Sequence, residues 1–457
     1  MAIRYKLLEF DSRRKVVIAA AIISVSVIIL IITCVLVFGE KKVTDSSSSN
    51  GGRGSDTNNT GSCEILSSTP NSPLLIYSGT TTLIYPVPAS NTTTIPHNQT
   101  IDLSCPGNQV RIGQNQFGPL VTVTCKKGDL FIVGGTEVRF TNASCSRRVN
   151  PTVKQLFIQD IPENDTISDC YKIKDINVTI GSIGFTIDQN RSLSFIKICF
   201  NTDSRIALYS YYELTAAINY RAKNVSTASF RQDDIFYRMA VSNAQLYNNN
   251  QITTLNRILG LDATSDKYIN NKTFISRGHL AAKSDFYYAM LQTASYRYIN
   301  VAPQWSTLNG GNWNQIEIDV RNYASNNKTN LQTWTGTYGI ASLPNVDNIT
   351  ENLYLYVVET DRRNSPCFPI PAIFWKLVYD PLSQKGIVLI GHNNPHVNVT
   401  EDSQKVCDID VSGRVTWLNW DKNNIIKGYS YACSYNDNRF QTTVSYVPKI
   451  VVKGLLV

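Results

Sequence analysis

An unbroken apolar run near the N-terminus, Val16–Phe38, constrains the folding of this chain more than any other feature. A helix of this length, at ~1.5 Å per residue, would cross the ~30 Å hydrocarbon layer of a bilayer. A cleavable signal peptide has an apolar core of only ~7 to 15 residues, so we expect an uncleaved signal anchor. Arg and Lys residues in the preceding tail favour a cytoplasmic N-terminus. The rest of the chain would then fold outside the cytoplasm.

The sequence divides into segments that fit this topology. We expect a cytoplasmic tail at 1–15, the transmembrane signal anchor at 16–38 and a Ser/Gly/Asn-rich stalk at 39–62 that buries too little apolar surface to fold. N-x-S/T sequons then follow along the chain, at Asn58, Asn91, Asn98, Asn142, Asn164, Asn177, Asn190, Asn224, Asn271, Asn327, Asn348 and Asn398. They predict a single-pass type II membrane glycoprotein with an extracellular or luminal C-terminal domain, or a form secreted after processing.

Charge and cysteine content narrow the class further. The formal net charge is +8, but half of it lies in the first 42 residues, where it serves membrane topology. The rest of the chain carries the other half of this charge, so it is only mildly basic, and the charge does not by itself indicate a polyanion substrate. Nine cysteines follow the anchor, which predicts disulfides with one cysteine left over and leaves their connectivity open. The chain has no C-x-x-C pair, which argues against a zinc ribbon.

Two folded regions are predicted beyond the stalk. Short β-rich runs punctuated by Gly, Asn and Pro predict a small disulfide-containing β-rich region at 63–200. Residues 201–457 mix periodicities and predict an α+β domain. The elements expected there are strands at 206–215, 331–336 and 353–358, a hairpin at 374–379 and 386–390, and a helix at 312–322.

Three short segments carry residues suited to phosphodiester hydrolysis: Ser276–Ala282, Asn300–Gln304 and Asn309–Glu317. This reaction needs a base that accepts a proton from water and a cation that neutralises charge on phosphorus and the leaving oxygen. His279, with an ordinary pKa of ~6.5, can act as that base near neutral pH. Asn309 offers the hard, neutral oxygen that Mg²⁺ accepts while keeping several waters.

The predicted helix adds the remaining candidates. It would place Trp313, Glu317 and Arg321 on one face, with Glu317 two turns along the same helix from Asn309. Glu317 could hold a water beside the cation, and Arg321 and Arg277 could contact phosphate. Trp313 is better explained by packing. Glu317 and Arg321 could also form a simple i, i+4 surface pair, worth about 0.3 kcal/mol.

These segments resemble the DNA/RNA non-specific endonuclease family of the ββα-metal, or His-Me finger, superfamily, which includes endonuclease G and arthropod double-stranded RNases. The family pattern RGHLAA matches Arg277–Ala282, N-x-A/T-P-Q matches Asn300–Gln304, and L-N-x-x-x-W-x-x-x-E matches Leu308–Glu317. The resemblance runs over roughly 205–340 and weakens towards 400. The fold that this resemblance implies is a ββα-metal nuclease domain with a mixed or antiparallel sheet and flanking helices.

The resemblance implies a role for each matched residue. His279 would be the general base, Asn309 the sole direct protein ligand of Mg²⁺ (or Mn²⁺), and Glu317 the residue that holds water. Arg277 and Arg321 would contact phosphate or the transition state, and Asn300 would be a polar support of the site. The expected substrates are DNA and RNA, double-stranded RNA included. A membrane contact through the N-terminal helix and a homodimer are also expected.

Ser276 departs from the stricter family pattern, which has Asp before Arg-Gly-His. Its hydroxyl brings no negative charge to the cation, so two other functions stay open. One is a catalytically degenerate type II membrane glycoprotein that binds nucleic acid or a protein partner. The other is an attachment-type glycoprotein whose function lies in residues 63–199.

Overall fold

The computed structural model describes residues 61–457 except 67, 89, 238–241, 249, 361–362 and 398–404, and no side chain of 358–366 is described. The predicted cytoplasmic tail, signal anchor and nearly all of the stalk therefore lie outside the described residues. Among the helices that are described, none has the length and apolar character needed to cross a bilayer. Asn59–Val457 form one compact unit.

Strands dominate the described residues. In chain order they are β1 (Cys63–Leu66), β2 (Leu74–Tyr77), β3 (Thr92–Ile95), β4 (Thr100–Ser104), β5 (Val110–Ile112), β6 (Asn115–Gln116), β7 (Leu120–Lys127), β8 (Leu130–Val133), β9 (Thr136–Arg139), β10 (Ala143–Cys145), β11 (Thr152–Leu156), β12 (Val178–Thr186), β13 (Ser192–Asn201), β14 (Ile206–Leu214), β15 (Ile275–His279), β16 (Val301–Trp305), β17 (Leu331–Tyr338), β18 (Ser342–Pro344), β19 (Thr350–Asn352), β20 (Tyr354–Thr360), β21 (Arg363–Pro369), β22 (Ile373–Asp380), β23 (Lys385–His392), β24 (Ser430–Cys433) and β25 (Gly454–Leu455).

The described helices are fewer and mostly short. They are α1 (Asn243–Leu246), α2 (Asn250–Ile258), α3 (Ala289–Ala294), α4 (Ser306–Asn309), α5 (Asn312–Asn326) and α6 (Asn438–Thr443). The predicted helix at 312–322 is confirmed as α5, which begins at Asn312 and continues to Asn326. The predicted strands and hairpin are confirmed as β14, β17, β20, β22 and β23.

The N-terminal β-rich region contains three small sheets. Five strands form the largest, in the order β2-β4-β7-β8-β9, while β1 pairs with β3 and β10 with β5 and β6. Alternating exposure along β1, where Cys63 and Ile65 are buried, reflects the period of two that a one-sided sheet requires. Two disulfides, Cys63–Cys125 and Cys105–Cys145, link these strands. The predicted disulfide-containing β-rich region is therefore present.

A nine-stranded sheet forms the centre of the molecule, in the order β11-β12-β13-β14-β17-β22-β23-β24, with β25 parallel to β23. All of β22 is buried, and its side chains alternate between two hydrophobic clusters. Phe374 and Val378 belong to one cluster, and Trp375 and Leu377 to the other. The sheet is therefore covered on both faces. Together with the helices it gives a fold that mixes α-helices and β-strands, in agreement with the expected α+β domain.

The central sheet takes strands from both sides of residue 200, because β11 to β13 precede the predicted domain boundary and β14 follows it. The domain limits themselves stay a prediction. Two further disulfides, Cys170–Cys199 and Cys407–Cys433, join loops to β13 and β24. Cys367 is free and buried, so the expectation of a single unpaired cysteine is confirmed among the nine that are described.

Candidate active site

A two-stranded antiparallel sheet positions the histidine of the motif. β15 ends at His279 and pairs antiparallel with β16, with Ser276 opposite Gln304 and His279 opposite Val301. The strands approach closely at Gly278, where a Cβ atom would lie 2.3 Å from Gln304 Oε1. Packing against Gln304 therefore requires a glycine at this position, one residue before His279.

His279 lies in an aromatic environment. Its ring centroid is 5.1 Å from that of Phe230 and 5.0 Å from that of Tyr296. Burial lowers the pKa of His279 to about 4, with Asp285 opposing and Lys283 adding to the shift. Among the described residues, His279 Nε2 is buried and has no hydrogen-bond partner. The imidazole is therefore neutral at pH 7 and has a nitrogen free to accept a proton.

Asn309 lies next to the same pair of strands. β16 runs directly into α4, and Asn309 is the last residue of that helix. Asn309 Nδ2 donates a hydrogen bond to Ser276 Oγ at 3.1 Å, and Ser276 Oγ donates to Gln304 O at 2.8 Å. These two bonds fix the amide plane, so its oxygen Oδ1 is the group that Asn309 can present to a cation.

Asn309 and Glu317 do not share a helix, which corrects the sequence prediction. α4 ends at Asn309 and α5 begins at Asn312, with the N-cap at Gly311. A Cβ atom at Gly311 would lie 2.4 Å from Thr307 O and 2.6 Å from Lys427 O. The backbone is thus too tightly packed there for any other residue, and the chain turns between the two helices.

Glu317 lies half-buried on α5. Its pKa is raised to about 7, mainly by burial and also by the charge of Asp285, while Lys376 and Arg321 act in the opposite direction. The charge of Asp285 raises the pKa values of both His279 and Glu317, so one carboxylate acts on both candidate groups. The site therefore combines a neutral histidine with a carboxyl that titrates near neutral pH.

Arg321 belongs to a buried charge cluster. Its Nη1 donates to Asp285 Oδ1 at 2.6 Å, and only 7% and 2% of these side chains are exposed. Tyr212 Oη also donates to Asp285, and Lys376 Nζ donates to Tyr212 Oη at 3.1 Å. The i, i+4 surface pair of Arg321 with Glu317 is therefore wrong, because the guanidinium is turned inward to Asp285. A phosphate contact by Arg321 stays a prediction.

Arg277 lies over aromatic rings. The guanidinium carbon is 5.6 Å from the ring centroid of Phe230 and 5.5 Å from that of Tyr247. Arg277 Nε donates to Tyr298 Oη at 3.2 Å and Nη2 donates to Asn248 Oδ1 at 3.1 Å. These hydrogen bonds and ring contacts hold the partly buried side chain in place.

Asn300 is fully buried and binds backbone. Its Oδ1 accepts from Ala281 N at 3.0 Å, and its Nδ2 donates to Ala281 O at 2.9 Å and to Ser295 O at 3.0 Å. These bonds fix the chain two residues after His279. Trp313 is also fully buried and packs on Phe374, as its assignment to packing predicts.

The described residues contain no group of three or more His, Cys, Asp or Glu side chains arranged to hold a metal ion. A cation here would depend on few protein ligands, and the oriented amide oxygen of Asn309 is a suitable one for a Mg²⁺ ion that keeps most of its waters. Glu317 is the candidate carboxyl for holding water around such an ion. The residues present therefore fit a hydrated divalent cation.

Comparison with protein families now identifies the chain. The family model for DNA/RNA non-specific endonucleases matches residues 176–438, which is more than half of the sequence. The chain belongs to the DNA/RNA non-specific endonuclease family. The match includes β12 to β24 and all three motif segments, so the family relationship covers both the central sheet and the candidate site.

This endonuclease-family chain is similar to salivary proteins of other organisms. It is 33% identical over 227 residues to the salivary endonuclease of Lutzomyia longipalpis, covering 49% of the chain and 52% of that protein. It is 28% identical over 249 residues to the salivary protein Tsal1 of Glossina morsitans morsitans, covering 52% of the chain and 57% of that protein. The chain thus spans about half the length of the curated relatives it matches.

A solved structure of the EndoG/EndoGI complex is also similar, at 19% identity. It covers 53% of this chain and 85% of that chain with a TM-score of 0.32, which is too low to support an argument.

Sequence reasoning on this endonuclease-family chain missed three residues of the site: Asp285, Tyr212 and Lys376. One signal was available for Lys376, which is a charged residue flanked on both sides by apolar and aromatic residues of β22. A buried lysine needs partners, and its Nζ donates to Thr335 Oγ1 at 2.5 Å as well as to Tyr212. Asp285 and Tyr212 gave no comparable signal, because their contact joins positions 73 residues apart.

Proposed function

We propose that this protein is a metal-dependent, sugar-nonspecific endonuclease that hydrolyses phosphodiester bonds in DNA and RNA, double-stranded RNA included. The observation that carries the proposal is the state of His279. Its imidazole is neutral at pH 7, and Nε2 has no hydrogen-bond partner among the described residues. A general base needs a free lone pair. His279 Nε2, at the end of β15, is a buried nitrogen with no partner among the described residues, so the attacking water would have to enter the site to reach it.

In the proposed reaction, His279 Nε2 accepts a proton from a water molecule, and the resulting hydroxide attacks phosphorus as the P–O bond to the leaving oxygen breaks. Asn309 would hold Mg²⁺, or Mn²⁺ in its place, through the amide oxygen that Ser276 orients. When bound, the ion neutralises charge on the phosphoryl and leaving oxygens. Glu317 would accept hydrogen bonds from the water around that ion, a role for which its carboxyl must be ionised.

The two arginines would act on the phosphate group in different ways. Arg277 has donors left on its guanidinium after the bonds to Tyr298 and Asn248, so it can donate to a phosphate oxygen. Arg321 would act mainly through charge, because Asp285 occupies its Nη1. Asn300 supports the site by fixing Ala281, and thus the backbone that follows the base.

Low specificity follows from this chemistry. Each proposed contact is with water or phosphate, and none requires a base edge or a 2′-hydroxyl. Both DNA and RNA should therefore be cleaved. The names of the relatives, two of which are salivary endonucleases, support the activity and a secreted form.

Glycosylation and the extracellular location belong to the same proposal. All ten sequon asparagines in the described residues have exposed side chains, from Asn91 to Asn348, as attachment of a glycan requires. Other asparagines of the chain, such as Asn300 and Asn393, are fully buried. This distribution supports a secretory route, by a membrane-anchored or a secreted form. The homodimer stays a prediction.

A second candidate function is a degenerate family member that binds nucleic acid or a protein partner without cleaving. Ser276 favours it, because the serine lacks the carboxylate that the family pattern places before Arg-Gly-His. The hydrogen bond from Asn309 to Ser276 argues against it, since the serine still orients the amide of the proposed ligand.

The experiment that separates the two candidates is cleavage of plasmid DNA and long double-stranded RNA by the purified glycoprotein, with Mg²⁺ or with EDTA. We expect both polymers to be cut with Mg²⁺ and neither with EDTA. Binding of the polymers without cleavage at any Mg²⁺ or Mn²⁺ concentration would contradict the endonuclease proposal and support the degenerate one.

A further inference from the structure

Arginines surround a groove beside the candidate active site, where the N-terminal β-rich region meets the segments before and after α3. Two cavities adjoin there and share Arg148. Arg231 and Arg297 also line the first, and Arg111 and Arg147 line the second. Of the described residues, no Asp or Glu lines either cavity. We call the exposed members, Arg111, Arg147, Arg148 and Arg231, the arginine groove.

The arginine groove has no internal compensation for its charge. Its four side chains are exposed, and none of them forms an ion pair with another described residue. Arg297 differs, because its Nη1 pairs with Asp233 Oδ1 at 3.1 Å. The four unpaired guanidinium groups around these two adjoining cavities repel each other, and an anion bound between them would relieve that repulsion. The mildly basic net charge of the region thus hides a concentrated local patch.

The groove lies beside the candidate active site, with Tyr296 between them. Tyr296 lines the first cavity, and its ring centroid lies 5.0 Å from that of His279. Burial lowers the pKa of Lys283, and the nearby charge of Arg148 lowers it further. The same Lys283 acts on the pKa of His279. Arg148, which belongs to the N-terminal β-rich region, is therefore electrostatically close to the residues around the proposed base.

Several bonds hold the groove in this position. The Cys105–Cys145 disulfide anchors the strand two residues before Arg147. Arg297 Nη2 donates to Pro151 O at 2.9 Å, which ties the segment after Arg148 to the segment after α3. Tyr288 Oη also donates to Ile84 O. The arrangement of the arginines relative to His279 is thus fixed by long-range contacts.

We propose that the arginine groove binds the phosphodiester backbone of a nucleic acid on one side of the phosphate that is cleaved, so that the N-terminal β-rich region forms part of the substrate-binding surface. The proposal rests on the proposed function and extends it. Guanidinium groups match phosphate oxygens in geometry and charge. Contacts of this kind carry no sequence information, which agrees with low specificity.

The test measures how binding depends on salt. In a His279→Ala background, Kd for a labelled 20-base-pair DNA duplex and a matching RNA duplex is measured by fluorescence anisotropy from 50 to 200 mM NaCl. The variant is Arg147→Gln with Arg148→Gln. Its control is Lys127→Gln with Lys174→Gln, which removes the same charge from exposed positions of the same region that do not line the groove.

Each phosphate contact that is lost should reduce the slope of log Kd against log salt by about 1. For two arginines, Kd of the parent should therefore rise about 16-fold more than Kd of the variant over this fourfold salt range. The control should match the parent. Equal slopes for the arginine variant and the control would overturn the proposal, and so would an absence of binding by all three proteins.

The same proteins with His279 restored keep this proposal separate from the catalytic one. Salt-dependent binding that needs Arg147 and Arg148, without any cleavage, would refute the endonuclease and leave the groove. Cleavage with equal slopes for the arginine variant and the control would refute the groove and leave the endonuclease.

Discussion

Asn309 Nδ2 donates a hydrogen bond to Ser276 Oγ at 3.1 Å, which links the last residue of α4 to β15. Because Ser276 uses its own proton to donate to Gln304 O, its oxygen must act as the acceptor for Asn309. The amide is therefore oriented with Oδ1 available to a cation. The residue that departs from the family pattern thus has a positioning role for the proposed metal ligand.

Replacing Ser276 tests this role. Ser276→Ala removes the acceptor, and loss of a hydrogen bond worth about 1 kcal/mol should raise the Mg²⁺ concentration for half-maximal cleavage about fivefold. Ser276→Thr keeps the hydroxyl on a β-strand and should restore the parental value. The measurement is a Mg²⁺ titration of plasmid cleavage after removal of bound metal. An unchanged Mg²⁺ requirement in Ser276→Ala would contradict the role.

The pKa of His279 can be measured directly. Burial lowers it to about 4, so the ring should titrate near that pH in NMR spectra of the metal-free protein, against about 6.5 for the same residue in urea. Because the folded pKa lies below the unfolded one, the folded state favours the neutral ring. The free energy of unfolding should therefore fall as the pH decreases from about 6.5 through 4. A titration midpoint near 6.5 in the folded protein would refute the burial of Nε2.

Glu317 should link Mg²⁺ affinity to pH. Its pKa is raised to about 7, so at pH 6 most of the protein carries a neutral carboxyl that attracts the cation weakly. Mg²⁺ affinity should increase between pH 6 and 8 in the parent. Glu317→Gln should bind Mg²⁺ weakly and with little change over the same range. Calorimetric titration at several pH values measures both. An equally steep increase in the variant would assign the pH dependence to another group.

Asp285 should stabilise the fold. Asp285→Asn leaves Arg321 buried without its carboxylate partner, an effect of about 3 to 5 kcal/mol for buried pairs. Asp129→Asn is the control, because it breaks the exposed pair with Arg139, where about 1 kcal/mol or less is expected. The free energy of unfolding in urea gives both values. Equal losses would show that the buried pair contributes no more than an exposed one.

Sequence periodicity predicted the local elements well. The helix that begins at Asn312 and the hairpin of β22 and β23 depend on patterns within a dozen residues. The short turn at Gly310 and Gly311 was missed when Asn309 was placed on the same helix as Glu317, although two adjacent glycines mark a turn. The backbone at Lys427 packs against this turn and accepts a hydrogen bond from Asn312 N. A periodic pattern depends on residues that are close together in the sequence, whereas the backbone that packs against Gly311 comes from a distant part of the chain.

The candidate site was predictable to the same extent. His279 and Asn309 lie in short motifs whose residue types suit the chemistry. The charge cluster was not predictable, since Tyr212 and Lys376 come together only after β14, β17 and β22 pair in the central sheet, and Asp285 contacts Tyr212 from another part of the chain. The disulfides were open for the same reason. Cysteine spacing alone does not determine pairing.

The most direct test of the account is the rate of plasmid cleavage by His279→Ala, with and without added imidazole, at saturating Mg²⁺. If His279 is the general base, its removal should reduce the rate by about 10² to 10⁴-fold, leave binding of the plasmid intact, and allow imidazole to restore part of the rate. Cleavage by His279→Ala at the parental rate would contradict the assignment of His279 and, with it, the central claim.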